Sequence, residues 1–175
     1  RPAPGERHLM ARLVAAYGSS HSITEWSIAK DIGWWPGIPL VFKLSPVAFD
    51  FPADYDSKNQ HDNIVRYNIA YSVYNYALQI RRVKDFSVHH NEFYDSIRHD
   101  EIPPQRGTIG KYMVILYAGQ ASGNFYSNIL RAPGNPGTSM LYIQADNVNN
   151  PQINIYNNLI YGATDHAIVV GYNNS

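Results

Sequence analysis

The chain has 175 residues, no cysteine and a formal net charge of zero, with 45% apolar and 16% charged residues. That composition excludes a disordered chain, a disulfide framework and a cysteine-based metal site. It also gives no electrostatic footprint for nucleic acid, and no run approaches the roughly 18 apolar residues of a membrane span. Residues 1–20 read as an extended lead-in that is either an N-terminal cap or a first rung. Within it Leu9 to Ala16 could pass for a helix, and as a strand it would turn Ala11 and Leu13 inward. From residue 21 onward, short alternating runs are broken by Gly, Pro, Asn and Asp, which predicts many short strands.

Those strands repeat. Asn63-Ile64-Val65-Arg66-Tyr67-Asn68-Ile69-Ala70-Tyr71 has counterparts at residues 86–94, 123–130 and 153–161, and a weaker one at 22–29. Aligned on the polar residue, one column reads Ser27, Asn68, Asn91, Asn128, Asn158. Three residues earlier stand Thr24, Val65, Val88, Phe125, Ile155; two later stand Ala29, Ala70, Phe93, Leu130, Ile160. A second unit lies between these copies. Its inward columns are Leu78, Val114, Leu141, Ile168 and Ile80, Leu116, Ile143, Val170, all aliphatic. Its upstream copy is either Leu40-Val41-Phe42-Lys43 or Phe49-Asp50-Phe51-Pro52, and the shorter gap to Val65 favours the second. The polar column is spaced 41, 23, 37 and 30 residues apart. The unequal excess falls in loops, where insertions are cheap. Inserted loops are expected at 30–62 and 96–112. A fixed core unit with variable insertions is the signature of a solenoid. An antiparallel β-sandwich also gives short strands, but it does not predict an aligned Asn column.

The strings Asn63-Ile64-Val65-Arg66-Tyr67-Asn68 and Asn154-Ile155-Tyr156-Asn157-Asn158, each followed by an apolar strand, resemble the right-handed parallel β-helix superfamily. That group holds pectate-lyase-like enzymes, alginate lyases and epimerases, glycoside hydrolases and phage tailspikes. The resemblance covers about residues 20–175. It implies an all-β solenoid of about six rungs and, because the chain begins at Arg1 and stops just after an apolar run, a segment of a longer one. It also implies a secreted or cell-surface protein that binds and cleaves or modifies an acidic polysaccharide, as a lyase or a glycoside hydrolase. Fold does not fix chemistry. The alternative is a non-catalytic tailspike-, adhesin- or filament-like β-helix. It would self-associate through an open C-terminal rung. Neither nucleic acid nor membrane is expected as a partner.

Outward residues of a β-helix stack into rows about 4.8 Å apart, where a polymer can be read. On the second unit the expected outward rows are Asp50, Gln79, Ile115, Tyr142 and Pro52, Arg81, Tyr117, Gln144, with Arg82 beside Arg81. Aromatic faces and amides suit sugars, and Arg suits a carboxylate bidentately. The acidic stretch of residues 50–62 adds Asp54, Asp56, Lys58 and His61. The catalytic candidates are therefore Asp50, Asp54, Asp56, Lys58, His61 and Arg81. The substrate-binding candidates are Arg82, Tyr117, Tyr142, Gln144, Trp34 and Trp35. The sequence specifies no cofactor; calcium is the candidate ion, which Asp54 and Asp56 would hold, although the spacing is not that of an EF-hand. Ala48-Phe49-Asp50-Phe51-Pro52 departs from the Tyr-Gly-Phe-Asp-Pro-His-like motif of mannuronan epimerases, so that chemistry does not transfer beyond Asp50. On the first unit the outward row Glu25, Arg66, His89, Tyr126, Tyr156 reads as a cross-strand ladder. Strict alternation would send His89 and His90 to opposite faces.

Overall fold

A computed structural model describes residues 12–15, 19–30, 47–51, 60–71, 73, 76–81, 83–94, 112–117, 121–132, 139–145 and 152–172. Among them are sixteen strands and no helix. The first sheet contains β1 (Arg12–Ala15), β4 (Val47–Phe51), β7 (Tyr76–Arg81), β10 (Tyr112–Tyr117), β13 (Ser139–Ala145) and β16 (Ile168–Tyr172). The second contains β2 (Ile23–Glu25), β5 (Ile64–Arg66), β8 (Phe86–His89), β11 (Gly123–Tyr126) and β14 (Ile153–Tyr156). The third contains β3 (Ile28–Lys30), β6 (Ile69–Tyr71), β9 (Glu92–Tyr94), β12 (Ile129–Arg131) and β15 (Leu159–Tyr161). All pairings are parallel, and the chain visits the three sheets in strict rotation. This is a parallel β-helix of five complete rungs, with β16 adding a sixth strand to the first sheet.

The expected registers hold. Leu78, Val114, Leu141 and Ile168 align in one column, and Ile80, Leu116, Ile143 and Val170 in the next. Phe49 and Phe51 continue these columns upstream, opposite Leu78 and Ile80, so β4 is the upstream copy. The Leu40-Val41 alternative, Trp34, Trp35 and the whole of residues 95–111 lie outside the described residues. Residues 12–15 form a first-rung strand. Its register sets Val14, not Leu13, opposite Phe49, which corrects the expected inward set by one residue. A one-residue slip exchanges the two faces of a strand, so Val14 takes the inward position. It packs against the core.

The core is a continuous apolar column. Phe49, Phe51, Phe86, Phe93, Phe125, Leu78, Ile80, Leu116 and Leu130 are fully buried. Burying each such side chain contributes about 1.5–3 kcal/mol. At the last described turn the columns emerge into solvent, with Ile168 45% and Val170 63% exposed.

The corner between the second and third sheets is a repeated two-residue device. Its first residue has a left-handed backbone: Trp26, Tyr67, His90, Ser127 and Asn157 have φ between 53° and 55°. That conformation costs roughly 1–2 kcal/mol for a residue with a Cβ. The following residue offsets it. The Asn68 Oδ1 accepts from the Ser27 N–H at 3.0 Å. The Asn91 Oδ1 accepts from both the N–H and the Nδ2 of Asn68, each at 3.0 Å. The Asn128 Oδ1 does the same for Asn91, and the Asn158 Oδ1 for Asn128. Each Nδ2 also donates to the preceding rung, to Thr24, Val65, Val88 and Phe125 carbonyls in turn. Side-chain hydrogen bonds thereby satisfy corner groups that the sheets cannot reach.

The corner between the first and second sheets is built differently from rung to rung. His21, Asp62 and Asp85 are left-handed there, with φ of 57°, 56° and 53°. The next column inward reads Ser22, Asn63, Phe86, Gly123, Ile153. Asn63 accepts from the Ser22 N–H and hydroxyl and donates to the Ser19 carbonyl. One rung on, the buried ring of Phe86 replaces that amide. Gly123, with φ 151°, then faces the Phe86 backbone so closely that a Cβ would stand 2.3 Å from its carbonyl oxygen.

Candidate functional site

The first sheet carries most of the candidate residues, and its registers place them as the alternation predicted. Asp50, Gln79, Ile115 and Tyr142 form one outward row, and Arg81, Tyr117 and Gln144 the next. The two rows differ in access. Asp50 and Gln79 are each only 2% exposed and Ile115 is 3% exposed, whereas Tyr142 is half-buried. In the second row Arg81 is exposed, and Tyr117 and Gln144 are half-buried. The sheet is thus buried on both faces through most of β4, β7 and β10, and the Arg81 row is its accessible rim.

The Arg81 guanidinium lies 4.7 Å from the centroid of the Tyr117 ring. Against the rise that burial causes, its charge pulls the Tyr117 phenol down. The Gln79 amide oxygen, with the amide oriented by its partners, accepts from the same guanidinium. Arg81 is therefore held by the Tyr117 ring face and the Gln79 amide oxygen. A guanidinium offers five donors, so an edge remains for a further acceptor.

Phenols crowd this face. Tyr112 and Tyr142 stack with centroids 4.2 Å apart. Gly171 stands where the Tyr142 hydroxyl passes, 2.7 Å from the place a Cβ would take. Burial pushes the Tyr76 phenol up to about 12, the Tyr117 phenol adds to that rise, and Arg81 opposes it. Burial likewise raises Tyr117 against the pull of Arg81, with the Asp50 carboxylate adding a smaller rise. Both hydroxyls remain protonated near neutral pH, so they can donate hydrogen bonds but cannot serve as bases.

The remaining candidates divide. His61 lies at the corner between the first and second sheets, where its Nδ1 meets the Asp62 Oδ2 at 2.8 Å. Its described contacts are with that corner rather than with the Arg81 row. Asp54, Asp56, Lys58 and Arg82 lie outside the described residues, and with them the calcium pair.

The outward row of the second sheet is a ladder, as its composition suggested. Glu25 and Arg66 pair at 2.7 Å; His89, Tyr126 and Tyr156 stack with centroids 4.8 and 4.9 Å apart. The opposite-face reading of His89 and His90 is corrected, since their Nδ1 atoms are 2.8 Å apart. His90 is the left-handed corner residue, so the alternation of a strand ends before it. Burial lowers the His89 pKa, and His90 and Arg66 lower it further.

Two sets of residues were missed. Tyr76 and Tyr112 begin their strands two residues before Leu78 and Val114, the starts assigned to the repeat. On the third sheet, three residues after the Asn column, Lys30, Tyr71, Tyr94, Arg131 and Tyr161 align. Tyr71 and Tyr94 stack at 5.0 Å, with Lys30 over one ring and Arg131 over the other. Their fixed distance from the Asn column was the available signal. No family model, no curated protein and no solved structure matches this chain.

Proposed function

We propose that this β-helix is a secreted or cell-surface carbohydrate-active protein that binds an acidic polysaccharide along the Arg81–Tyr117–Gln144 row. One observation carries the reading: an exposed guanidinium is held against the Tyr117 ring and continues in register into Tyr117 and Gln144. The spacing of the row is that of the rungs, about 4.8 Å. Arg81 fits the carboxylate of a uronate, Tyr117 the apolar face of its ring, and Gln144 a hydroxyl.

Cleavage would call on groups beyond this row. A glycoside hydrolase needs two carboxyl groups flanking the bond. Asp50 is the one carboxylate in the described rows of this sheet, and it is buried. A lyase needs a base, and the phenols are held protonated. Lyase or hydrolase chemistry would draw on Asp54, Asp56 and Lys58, with Arg81 as the alternative base.

The test titrates the protein with polygalacturonate, alginate and a neutral glucan. Affinity electrophoresis is read beside absorbance at 235 nm for unsaturated ends and an assay for reducing ends. Acidic polymers should retard the protein, Arg81→Ala should weaken that at least tenfold, and Arg81→Lys should not restore it, since a point charge lacks the planar fork. Failure of every acidic polymer, or wild-type retardation of Arg81→Ala, would refute the reading.

A second reading has its own observation. Ile168 and Val170 belong to inward columns yet stand 45% and 63% exposed. A structural β-helix would cover them by end-to-end association. Sedimentation should then show concentration-dependent oligomers that Ile168→Lys with Val170→Lys abolishes; a monomer at all concentrations would exclude it.

A further inference from the structure

We infer that His21, His61 and Asp62 form a binding site for a zinc-class divalent ion that clips the first rung to the second. It lies at the corner between the first and second sheets and is independent of the polysaccharide reading. The three side chains offer one ligand atom each, all within 4.8 Å of one another. The Asp62 Oδ2 is 2.8 Å from the His61 Nδ1 and 3.3 Å from the His21 Nε2. Donors bound at about 2.0–2.1 Å in a tetrahedron stand roughly 3.3 Å apart, so small side-chain rotations admit the ion.

The backbone prepares this arrangement. His21 and Asp62 hold the same left-handed corner position on successive rungs, with φ of 57° and 56°. The His21 N–H donates to the His61 carbonyl at 3.0 Å, and the His61 N–H to the Ser20 hydroxyl at 3.1 Å. The three ligands thus come from two rungs locked in register, 41 residues apart in sequence. On the next rung Lys84 pairs with His61, while Asp85 holds a carboxylate in the same corner position as Asp62. Their formal charges offset, which leaves Asp62 to balance the ion.

Two imidazoles and one carboxylate select zinc, cobalt, nickel or copper over calcium, whose ligands are oxygens. Three protein ligands leave a fourth position for water. Because the ligands span two rungs, binding adds a cross-link that the unfolded chain lacks. It stabilises the fold in proportion to the logarithm of ion concentration over Kd.

The test titrates the protein with zinc chloride by calorimetry, with cobalt as a visible-absorption probe and calcium as a control. His21→Asn, His61→Gln and Asp62→Asn are the site variants. Asn is among the residues best tolerated in a left-handed backbone, so the two corner substitutions preserve the turn. His89→Gln with His90→Asn tests the other histidine pair. We expect one zinc per chain, no calcium response and a zinc-dependent rise in Tm. Each site variant should weaken binding at least ~10-fold, the lower bound for losing even a supporting group. The His89/His90 variant should bind as wild type. Zinc binding that survives in Asp62→Asn and His61→Gln, or is lost with His89 and His90, would overturn the site, as would no binding at millimolar zinc. Circular dichroism matching wild type keeps a loss of binding from being read as a loss of fold.

Discussion

Asn91 sits at the middle of the corner ladder, 2% exposed. Its Oδ1 accepts from the N–H and Nδ2 of Asn68, and its Nδ2 donates to the Val65 and His89 carbonyls and to the Asn128 Oδ1. In Asn91→Ala the Asn68 N–H loses its acceptor, while Asn68 Nδ2 keeps the Thr24 carbonyl. A stranded buried donor costs about 1–3 kcal/mol, and the lost bond to Val65 adds about 0.5–1.5 kcal/mol. The sum is about 1.5–4.5 kcal/mol, roughly 3–18 °C in Tm for a domain of this size. Asn158 supplies the control. It closes the ladder at the last described rung: it too accepts from the N–H and Nδ2 of its neighbour, Asn128, but these bonds are part-buried and its bond to the Tyr156 carbonyl is exposed, so water can replace more of what is lost. Asn158→Ala should cost about half as much or less. Asn91→Asp separates the two halves of the amide. Its carboxylate still accepts from Asn68 but faces the Val65 carbonyl and the Asn128 Oδ1, so it should be worse than Ala at neutral pH and recover as acid protonates it. Urea unfolding followed by circular dichroism measures all three. Equal losses for Asn91→Ala and Asn158→Ala, or a loss below ~1 kcal/mol for the former, would refute the ladder as a source of stability.

Three further outcomes are expected. Gly123→Ala should destabilise strongly, and trimming Phe86 to Ala should not rescue it, because the clash is with the Phe86 carbonyl oxygen; thermal melts of the single and double variants decide. His89 has a folded pKa below its unfolded value, so the unfolded chain binds more protons in that window. Its contribution is present above about pH 6.5, the unfolded value, and falls as pH drops below it. His89→Gln should flatten that part of the stability–pH profile, and an unchanged slope would count against the pair. Tyr76 should ionise near 12 in an ultraviolet titration, and Tyr76→Phe should remove that step.

The architecture was legible because inward positions of a solenoid are chemically narrow. Leu78, Val114, Leu141 and Ile168 differ in shape but not in kind, and the Asn column fixes their phase. The other corner was not legible, because His21, Asp62 and Asp85 share a backbone conformation rather than a residue type. Phe86 over Gly123 solves by packing what Asn63 solves by hydrogen bonding, so the column changes chemistry while keeping its geometry. The rows around Arg81 were placed correctly, but burial of Asp50 and Gln79 was not foreseen. Alternation gives the direction of a side chain and says nothing of what lies over it. His90 failed for a related reason: a single left-handed residue resets the alternation, and its type does not announce it.

The Asn ladder has a direction. Every Oδ1 receives from the rung before it, so the amide dipoles align head to tail along the axis. Position 27 holds a serine, whose hydroxyl turns back to the Glu25 carbonyl, so the first rung joins the ladder through the Ser27 N–H and the Thr24 carbonyl, without a side-chain amide of its own. Among the described rungs, the step from position 27 to Asn68 is thus the one without an amide-to-amide bond in a one-dimensional chain of nearest neighbours. That corner step should therefore open more readily than the Asn-to-Asn steps between the later described rungs.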